Sequence, residues 1–200
     1  MDERLKQSVA QAQYWQDRYE QGKDGWDIAA AAPALVDFVQ KNIQPHQSIL
    51  IPGAGRAYEA EALYRMGYSN VFVLDFAAQA LEDFAQRMPN FPSNQLIQAD
   101  FFKHNGQYDC ILEQTFFCAI NPDWRPKYVK KIFQLLKPQG QFAGLLFDRN
   151  FDQSPPFGGS REEYQKLFAP MNWKKMSLKP CQNSIAPRLG TELFIHCQCH

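Results

Sequence analysis

Two glycines and a later acidic residue stand where the sequence could hold an adenosine-containing ligand. Gly53 and Gly55 directly follow an apolar segment at 49–51, and glycines there allow a sharp turn and a close approach of a ligand to the backbone. Asp75 closes the next apolar segment about twenty residues later, where a carboxylate can accept hydrogen bonds from both ribose hydroxyls. The alternatives are a tight turn without a ligand and, for Asp75, a helix N-cap.

A third segment narrows the kind of cofactor. Asp100 and Phe101 follow the apolar run at 95–97. The carboxylate could bond an adenine amino group while the ring packs on the adenine face, and packing in the core is the alternative for the ring. Tyr58 is bulky and occupies the sixth position of the glycine turn, where a dinucleotide site prefers a small residue. The pattern therefore predicts an adenosine cofactor without a pyrophosphate docked on the helix.

Apolar runs that alternate with helix-like periodicity must position these residues. Continuous apolar runs are typical of strands buried on both faces, and their alternation with helices favours a parallel sheet covered by helices. The predicted strands cover 48–51, 71–74, 95–97, 108–112, 141–147, 172–179 and 191–198. The predicted helices cover 4–20, 33–43, 57–66, 77–87, 124–136 and 160–169.

We therefore predict an α/β fold, a doubly wound Rossmann-like sheet of seven strands that is mostly parallel. The last two strands form a hairpin-like pair joined through 180–190, which implies one antiparallel strand at the end of the sheet, near the C-terminus. We expect a single domain over residues 1–200, with a helical cover at 1–45 and the Rossmann-like core at 46–200.

Charge and hydropathy argue against several classes of partner. Twenty-one basic side chains balance twenty-one acidic ones without a basic cluster, which argues against nucleic acid because phosphate contacts need clustered cations. The sequence lacks a run of roughly 18 to 20 apolar residues and the apolar region of a secretion signal. We expect a cytoplasmic monomer that acts on a small molecule and binds neither nucleic acid nor a membrane.

The five cysteines predict neither a disulfide framework nor a metal site. Their number is odd, and the sequence has no Cys-x-x-Cys pair. Cys197, Cys199 and His200 form one cluster of metal-binding side chains, but its spacing is short for a zinc site. We expect reduced thiols and no metal.

Taken together, the motifs resemble the thiopurine methyltransferase-like family, and within it the plant-type halide and thiol methyltransferases. The resemblance extends from Trp15 to about Gly190. Its motifs are Trp15-x3-Tyr19-x6-Trp26-Asp27, Leu50-Ile51-Pro52-Gly53-Ala54-Gly55, Val73-Leu74-Asp75, Ala99-Asp100-Phe101-Phe102, Phe116-Phe117-Cys118-Ala119-Ile120 with Arg125-Pro126, Leu135-Leu136-Lys137-Pro138, and Pro155-Pro156-Phe157. It implies the class I methyltransferase fold, S-adenosylmethionine as the cofactor, S-adenosylhomocysteine as its product, and no metal.

The resemblance also implies the residues of the site. Gly53 and Gly55 would lie beside the methionine part of the cofactor, Asp75 would hold the ribose, and Trp15 and Trp26 would close over it. The predicted cofactor-binding residues are Trp15, Trp26, Gly53, Gly55, Asp75, Phe76, Asp100, Phe101 and Glu113. The predicted acceptor-binding residues come from the fold and not from the resemblance: Tyr19, Phe116, Phe117 and Phe157 are aromatic residues in segments expected around the strand ends, and Arg188 is a loop arginine that could steer an anion.

Three features depart from the plant-type pattern. Tyr19 stands where those enzymes usually carry a third Trp, and Glu113 stands where they often have Asp. The glycines in 153–159 follow the prolines, whereas the related enzymes tend to place them before. These differences bear on the choice of acceptor more than on the cofactor.

Methyl transfer from a sulfonium is an in-line displacement, in which the protein aligns the acceptor and excludes water. The sequence shows neither a Ser-His-Asp order nor a paired-carboxylate signature. We therefore predict no catalytic residue and an acceptor that arrives as an anion: a thiol, a halide or a thiopurine-like sulfur. Two alternatives stay open: an oxygen or nitrogen acceptor with Glu113 or Asp27 as the base, and a non-catalytic module that binds S-adenosylmethionine.

Overall fold

The computed structural model describes residue 9 and residues 11–23 and 25–200, so the predicted helix at 4–20 lies partly outside the described residues. The helices are α1 (Ala12–Glu20), α2 (Pro33–Asn42), α3 (Tyr58–Arg65), α4 (Ala78–Arg87), α5 (Arg125–Leu135) and α6 (Arg161–Phe168). The strands are β1 (Ile49–Pro52), β2 (Val71–Asp75), β3 (Leu96–Gln98), β4 (Tyr108–Gln114), β5 (Leu136–Phe147), β6 (Lys175–Pro180) and β7 (Glu192–Gln198). Of the helices in these ranges, none has the length and apolar character needed to cross a membrane.

Across the described residues, the seven strands form one sheet in the order β3-β2-β1-β4-β5-β7-β6. The first five strands of that order pair in parallel, and β7 runs antiparallel to both of its neighbours. The predicted doubly wound sheet with one antiparallel strand is confirmed. The order reverses between β1 and β4, which are neighbours in the sheet although β2 and β3 lie between them in sequence.

The antiparallel strand does not lie at the edge of the sheet, where we expected it. β7 is inserted between β5 and β6. Leu193, Ile195 and Cys197 of β7 are buried, whereas most of β6 is exposed or half-buried apart from Leu178. A strand in the interior of the sheet buries more of its apolar surface than a strand at the edge. The interior position therefore goes to β7, which has more apolar surface to bury, and the edge position goes to β6.

Two apolar layers cover the faces of the sheet. Side chains alternate along a strand, so Ile49 and Ile51 of β1 point to one face and Leu50 points to the other. Helices α2, α3 and α4 pack on the first face, and α5 and α6 pack on the second. The strands therefore bury both faces, which explains why they read as continuous apolar runs in the sequence.

The connection between α5 and β5 is tighter than the sequence suggests. We expected a helix to residue 136 and a strand from 141, but β5 begins at Leu136, directly after α5. Leu136 pairs with Tyr108, and the register shifts before Cys110 pairs with Gln141. A Cβ on Gly140 would lie 2.8 Å from the Lys137 carbonyl oxygen, so the irregular start of β5 depends on a glycine there.

Helix α1 packs against α4. It therefore lies near the carboxyl ends of the strands, where the glycine turn is found. Trp15 and Tyr19 form its buried side, and the Gln16 side chain accepts a hydrogen bond from the Gln79 N–H at 3.1 Å. That bond satisfies one free backbone donor in the first turn of α4. The N-terminal segment is therefore held over the carboxyl ends of the strands.

Candidate functional site

A cavity of about 560 Å³ opens at the carboxyl ends of the strands. It follows the sheet from β3 to β5 and includes the point where the strand order reverses, which is where open α/β sheets bind ligands. The predicted site residues in its lining are Trp15, Tyr19, Trp26, Gly53, Gly55, Asp75, Phe76, Asp100, Phe101, Phe116 and Arg188. The predicted residues Glu113, Phe117 and Phe157 are buried outside the described lining.

The glycine turn after β1 brings the backbone close to two aromatic side chains. Gly53 and Gly55 have φ values of +56° and +54°, in the left-handed region that favours glycine. A Cβ on Gly53 would overlap the ring of Phe116, and a Cβ on Gly55 would lie 3.0 Å from the Tyr19 hydroxyl. The turn thus presents bare backbone to the cavity, as the sequence predicts.

Asp75 ends β2 at the cavity and is almost fully buried. Its Oδ2 accepts a hydrogen bond from the Gly55 N–H at 3.1 Å, and its Oδ1 accepts one from the Ala77 N–H at 3.0 Å. Burial raises the pKa of this carboxyl above its ordinary value, while the backbone N–H groups work in the opposite direction. The carboxylate therefore joins the glycine turn to the start of α4 and also faces the cavity.

The segment after β3 forms the far end of the cavity. Asp100 is half-buried, and its Oδ1 accepts a hydrogen bond from the Phe102 N–H at 2.8 Å. Phe101 lines the cavity and packs against Phe116, with ring centroids 5.3 Å apart. Phe102 and Trp124 meet edge to face at 5.3 Å and also line the cavity. Sequence reasoning missed Trp124, because only the fold brings the residue before α5 to this end.

Three aromatic rings line the cavity beside the glycine turn. Trp26 meets both Trp15 and Tyr19 edge to face, with centroid distances of 5.4 and 5.6 Å. The Trp15 indole N–H donates to the Val9 carbonyl oxygen at 2.9 Å. The guanidinium carbon of Arg18 lies 5.4 Å from the centre of the Trp26 ring. The predicted covering role of Trp15 and Trp26 stays a prediction, and their position beside the turn is favourable to it.

Glu113 lies near the end of β4 and is fully buried. Its Oε1 accepts a hydrogen bond from the Phe117 N–H at 2.7 Å, and its Oε2 accepts one from the Tyr128 hydroxyl. Burial raises the pKa of this carboxyl to about 7, although these donors favour the charged form. The carboxylate holds a turn in which Thr115 has a φ of +60°, an uncommon conformation for a β-branched residue.

Both roles predicted for Glu113, contact with the cofactor and general base, require access to the cavity. The structure instead puts its carboxylate behind the wall, where it supports the turn that carries Phe116. Phe116 and Phe117 are neighbours in sequence, but the turn directs Phe116 to the cavity and Phe117 to the core. Phe157 likewise packs in the apolar cluster that contains Trp15.

The wall at the end of β5 alternates cations and aromatic rings. The guanidinium carbon of Arg188 lies 5.2 Å from the centre of the Phe147 ring. The ring of Phe147 meets that of Phe151 at 4.9 Å, and the guanidinium carbon of Arg149 lies 4.8 Å from the Phe151 ring. All four residues line the cavity. Sequence reasoning found Arg188 and missed the others, because 147–151 carries no recognisable motif.

The carboxylates of the described lining lie in one part of the cavity. We call the part formed at the ends of β1, β2 and β3 the glycine half, and the part formed by Cys118, Phe147, Arg149, Phe151, Pro155, Pro156 and Arg188 the arginine half. The carboxylates of the described lining are Asp27, Glu59, Asp75 and Asp100, from the N-terminal half of the chain, and Arg18 and Arg56 line the cavity with them. Arg188 is held by Glu192, with 3.5 Å between Nη1 and Oε1, and donates from Nη2 to the Trp26 carbonyl oxygen.

The cysteines of the structure are free thiols, all of them buried. Cys118 lines the arginine half, and its Sγ–H donates to the Thr115 carbonyl oxygen at 3.1 Å. Burial raises the pKa of this thiol to about 12, so it stays protonated and a poor nucleophile near neutral pH. Among residues 9, 11–23 and 25–200, no group of three or more His, Cys, Asp or Glu side chains could hold a metal ion.

Comparison with known proteins identifies the family. The family model for Thiopurine S-methyltransferase (TPMT) matches residues 10–191. Thiocyanate methyltransferase 1 of Brassica oleracea is 31% identical over 186 residues, which cover 89% of this chain and 81% of that protein. The thiopurine S-methyltransferase of Acinetobacter baylyi is 25% identical over 182 residues, which cover 80% of this chain and 84% of that protein.

Solved structures share the fold. The Burkholderia thailandensis 1,6-didemethyltoxoflavin-N1-methyltransferase, solved with bound 1,6-didemethyltoxoflavin and S-adenosylhomocysteine, superposes with a TM-score of 0.74 at 18% identity. The match covers 94% of this chain and 86% of that one. The predicted resemblance is thus confirmed by a family match over most of the chain, and the protein belongs to the thiopurine S-methyltransferase family of S-adenosylmethionine-dependent methyltransferases.

Proposed function

We propose that the protein transfers the methyl group of S-adenosylmethionine to a small, soft anion, either a sulfur nucleophile or a halide. The carrying observation is the distribution of charge in the cavity: no carboxylate of the described lining belongs to the arginine half, whose charged side chains are Arg149 and Arg188, whereas the rest of the lining combines four carboxylates with Arg18 and Arg56. An anion is favoured beside cations and is repelled by carboxylates. The names of the plant and bacterial relatives, which act on thiocyanate and thiopurines, support the same class of acceptor.

The glycine half fits the cofactor. The buried Asp75 carboxylate faces the cavity and can accept hydrogen bonds from two ribose hydroxyls. Asp100 can accept from an adenine amino group beside Phe101, with Phe102 and Trp124 at the rim. Gly53 and Gly55 line the cavity, so their bare backbone can lie beside the methionine part of the molecule. A side chain on Gly53 would displace Phe116 from this wall. When bound, S-adenosylmethionine supplies an electrophilic methyl group on its sulfonium.

The remaining chemistry is alignment and removal of water. In-line attack requires the acceptor atom at roughly 3 to 3.5 Å from the methyl carbon. The rings of Phe147 and Phe151 and the two prolines at 155–156 give the arginine half an apolar wall, which strips water from a soft anion at little cost and leaves it more reactive. Arg149 and Arg188 attract the anion without giving or taking a proton, because guanidinium stays charged.

The alternative with an oxygen or nitrogen acceptor needs a base. Of the two carboxylates considered for that role, Asp27 lines the cavity and Glu113 does not. The Asp27 Oδ1 accepts a hydrogen bond from the Ala29 N–H, and its Oδ2 accepts one from the Tyr58 hydroxyl at 3.1 Å. Both oxygens of Asp27 are thus engaged by donors of the cavity wall, which favours the acceptor that needs no base.

The cofactor assignment predicts a selective rise in thermal stability. S-adenosylhomocysteine at about a hundredfold excess over its Kd should stabilise the protein by about 2.7 kcal/mol, because it binds the folded state alone. NADH should give little change, because the bulk of Tyr58 at the sixth position of the glycine turn disfavours a pyrophosphate there. Differential scanning fluorimetry checks both ligands. Absence of a shift with millimolar S-adenosylhomocysteine, or a larger one with NADH, contradicts the assignment.

The acceptor assignment predicts how the rate depends on pH. With a thiol, kcat/KM should rise up to the pKa of the thiol itself, because only the thiolate is a good nucleophile. With iodide it should stay nearly flat, because iodide does not titrate. The measurement follows S-adenosylhomocysteine release from about pH 6 to 9.5 with iodide and two thiols of different pKa.

The same profiles in Asp27→Asn and Glu113→Gln are the controls. A protein base would impose its own pKa on every acceptor. An inflection that stays fixed when the thiol is changed and disappears in either variant would refute the base-free mechanism. Turnover of a phenol or an amine, but of no thiol or halide, would replace the proposal by the oxygen or nitrogen alternative. If S-adenosylhomocysteine binds but no acceptor is methylated, the protein is the non-catalytic module.

A further inference from the structure

Arg125 is a buried cation that the mechanism above does not use. It begins α5 and is 2% exposed. Its Nη1 lies 2.6 Å from Glu163 Oε1, and its Nη2 donates to the Phe157 carbonyl oxygen at 3.1 Å. Its guanidinium carbon lies 4.7 Å from the centre of the Phe117 ring. Its partner Glu163 is 40% exposed, and an ion pair open to solvent contributes little net stability, so the pair alone does not account for a buried arginine here.

The carbonyl that Arg125 binds belongs to a segment at the cavity. Pro155 and Pro156 line the arginine half, and Phe157 follows them. Proline has no N–H, so the segment has few backbone donors with which to hold itself in place. Phe157 is the residue at which it is fixed. Its N–H donates to the Cys118 carbonyl oxygen at 2.6 Å, and its carbonyl accepts from Arg125.

The Phe157 side chain connects the same segment to the cover of the glycine half. It is 3% exposed and packs in the apolar cluster that contains Trp15 and Tyr19 of α1. Arg125 is outside the described lining and faces Phe157 from the side of α5 and α6. Arg125 can therefore affect the arginine half only through the residues that it holds.

We propose that Arg125 is a positioning residue for the acceptor: it fixes the segment 155–157 as the roof of the arginine half. This inference rests on the proposed function, since it concerns the acceptor rather than the cofactor. Displacing the roof widens the arginine half and admits water beside the acceptor. A shift of 1 Å in the position of a reactant can cost about 100-fold in rate.

Arg125→Met and Arg125→Lys test the proposal, with Glu163→Gln as the matched control. Methionine keeps the apolar stem and loses both hydrogen bonds, whereas lysine keeps the charge and can reach one partner. Glu163 is 40% exposed, and glutamine retains an acceptor oxygen, so Glu163→Gln leaves the bond from Arg125 to Phe157 in place. Acceptor KM and kcat, the Kd of S-adenosylhomocysteine by calorimetry, and hydrogen exchange over 150–160 are measured in each variant.

In Arg125→Met we expect kcat/KM for the acceptor to fall at least about 10-fold, with a Kd for S-adenosylhomocysteine within about twofold of wild type. The Phe157 amide should exchange faster. Arg125→Lys should restore part of both effects, and Glu163→Gln should stay close to wild type.

Three results would overturn the proposal. The first is an unchanged kcat/KM in Arg125→Met, and the second is an unchanged exchange rate at Phe157. The third is a loss of S-adenosylhomocysteine affinity as large as the loss in kcat/KM, since a general disturbance of the fold would weaken both. If Arg125→Met does not fold, Arg125→Lys decides by the same criteria. A wild-type protein without turnover refutes the proposed function, while the exchange rates still report whether Arg125 holds the roof.

Discussion

Replacing Glu113 by glutamine is expected to remove a pH dependence of stability that the wild-type protein shows between about pH 4.5 and about pH 7. The buried carboxyl keeps its proton up to about pH 7, whereas in the unfolded chain it releases it near 4.5. Between these values the folded protein binds more protons than the unfolded chain. The free energy of unfolding therefore falls as the pH rises through this range and levels off above it.

The expected size of this effect is large for one side chain. At about 1.36 kcal/mol for each pH unit between the two pKa values, Glu113 accounts for about 3 kcal/mol. For a chain of this length that corresponds to roughly 6 to 12 °C in Tm. Glutamine does not titrate, but its amide oxygen can accept from the Phe117 N–H and its NH2 group can donate to Tyr128. The variant should therefore fold with the same turn.

Denaturant unfolding of wild type and Glu113→Gln from about pH 4.5 to about pH 8.5 makes the comparison. The stability of wild type minus that of the variant should fall by about 3 kcal/mol over the range. Tyr128→Phe is the control, because it removes one donor to the charged carboxylate and so moves the fall to higher pH. A difference that stays constant with pH would show that Glu113 does not titrate in this range.

Replacing Asp75 by alanine is expected to weaken S-adenosylhomocysteine binding by at least about 100-fold. Each hydrogen bond from a ribose hydroxyl to the carboxylate is worth about 1.5 to 3 kcal/mol, and every 1.4 kcal/mol corresponds to about tenfold in Kd. The protein without ligand should lose less, because burying the carboxylate costs free energy that offsets its bonds to Gly55 and Ala77. Calorimetric titration and a melting curve measure the two effects separately.

Two further variants separate binding from capping. Asp75→Asn keeps the size of the side chain and one acceptor oxygen, so its affinity should lie between those of wild type and Asp75→Ala. Ser160→Ala removes the side-chain cap of α6, where Ser160 Oγ accepts from the Glu163 N–H at 3.3 Å. Loss of a cap costs about 1 kcal/mol, and the Kd should not change. If Asp75→Ala behaves like Ser160→Ala, Asp75 is a structural residue and the ribose contact is wrong.

Much of the fold and one half of the cavity could be predicted because their signals are local. Each buried strand appears in the sequence as a short apolar run. The polar residue that directly follows the run is therefore at the carboxyl end of that strand. In a parallel sheet those ends share one edge, so Gly53, Asp75 and Asp100 had to meet. The sequence was therefore sufficient for the doubly wound sheet and for the meeting of these three residues in one cavity.

The tertiary structure decided what depends on partners far apart in sequence. From the sequence alone, Glu113 is a candidate base or ligand contact. In the structure its carboxylate accepts a hydrogen bond from Tyr128, which lies on another element. Phe116 and Phe117 are indistinguishable in sequence, and the turn held by Glu113 sends one to the cavity and the other to the core. Arg125 donates a hydrogen bond to the carbonyl oxygen of Phe157, which lies 32 residues further along the chain.

The same reasoning applies to the last strands and to the arginine half. Composition predicts a hairpin near the C-terminus, but the order β5-β7-β6 depends on which of its strands buries more apolar surface against β5. Arg149 and Phe151 lie in a loop without a motif, and they join Arg188 and Phe147 only where β5 and the loop before β7 come together. Local patterns thus determined the elements and the glycine half of the cavity, whereas burial and long-range contacts decided the arginine half, because those energies exist only once the chain is folded.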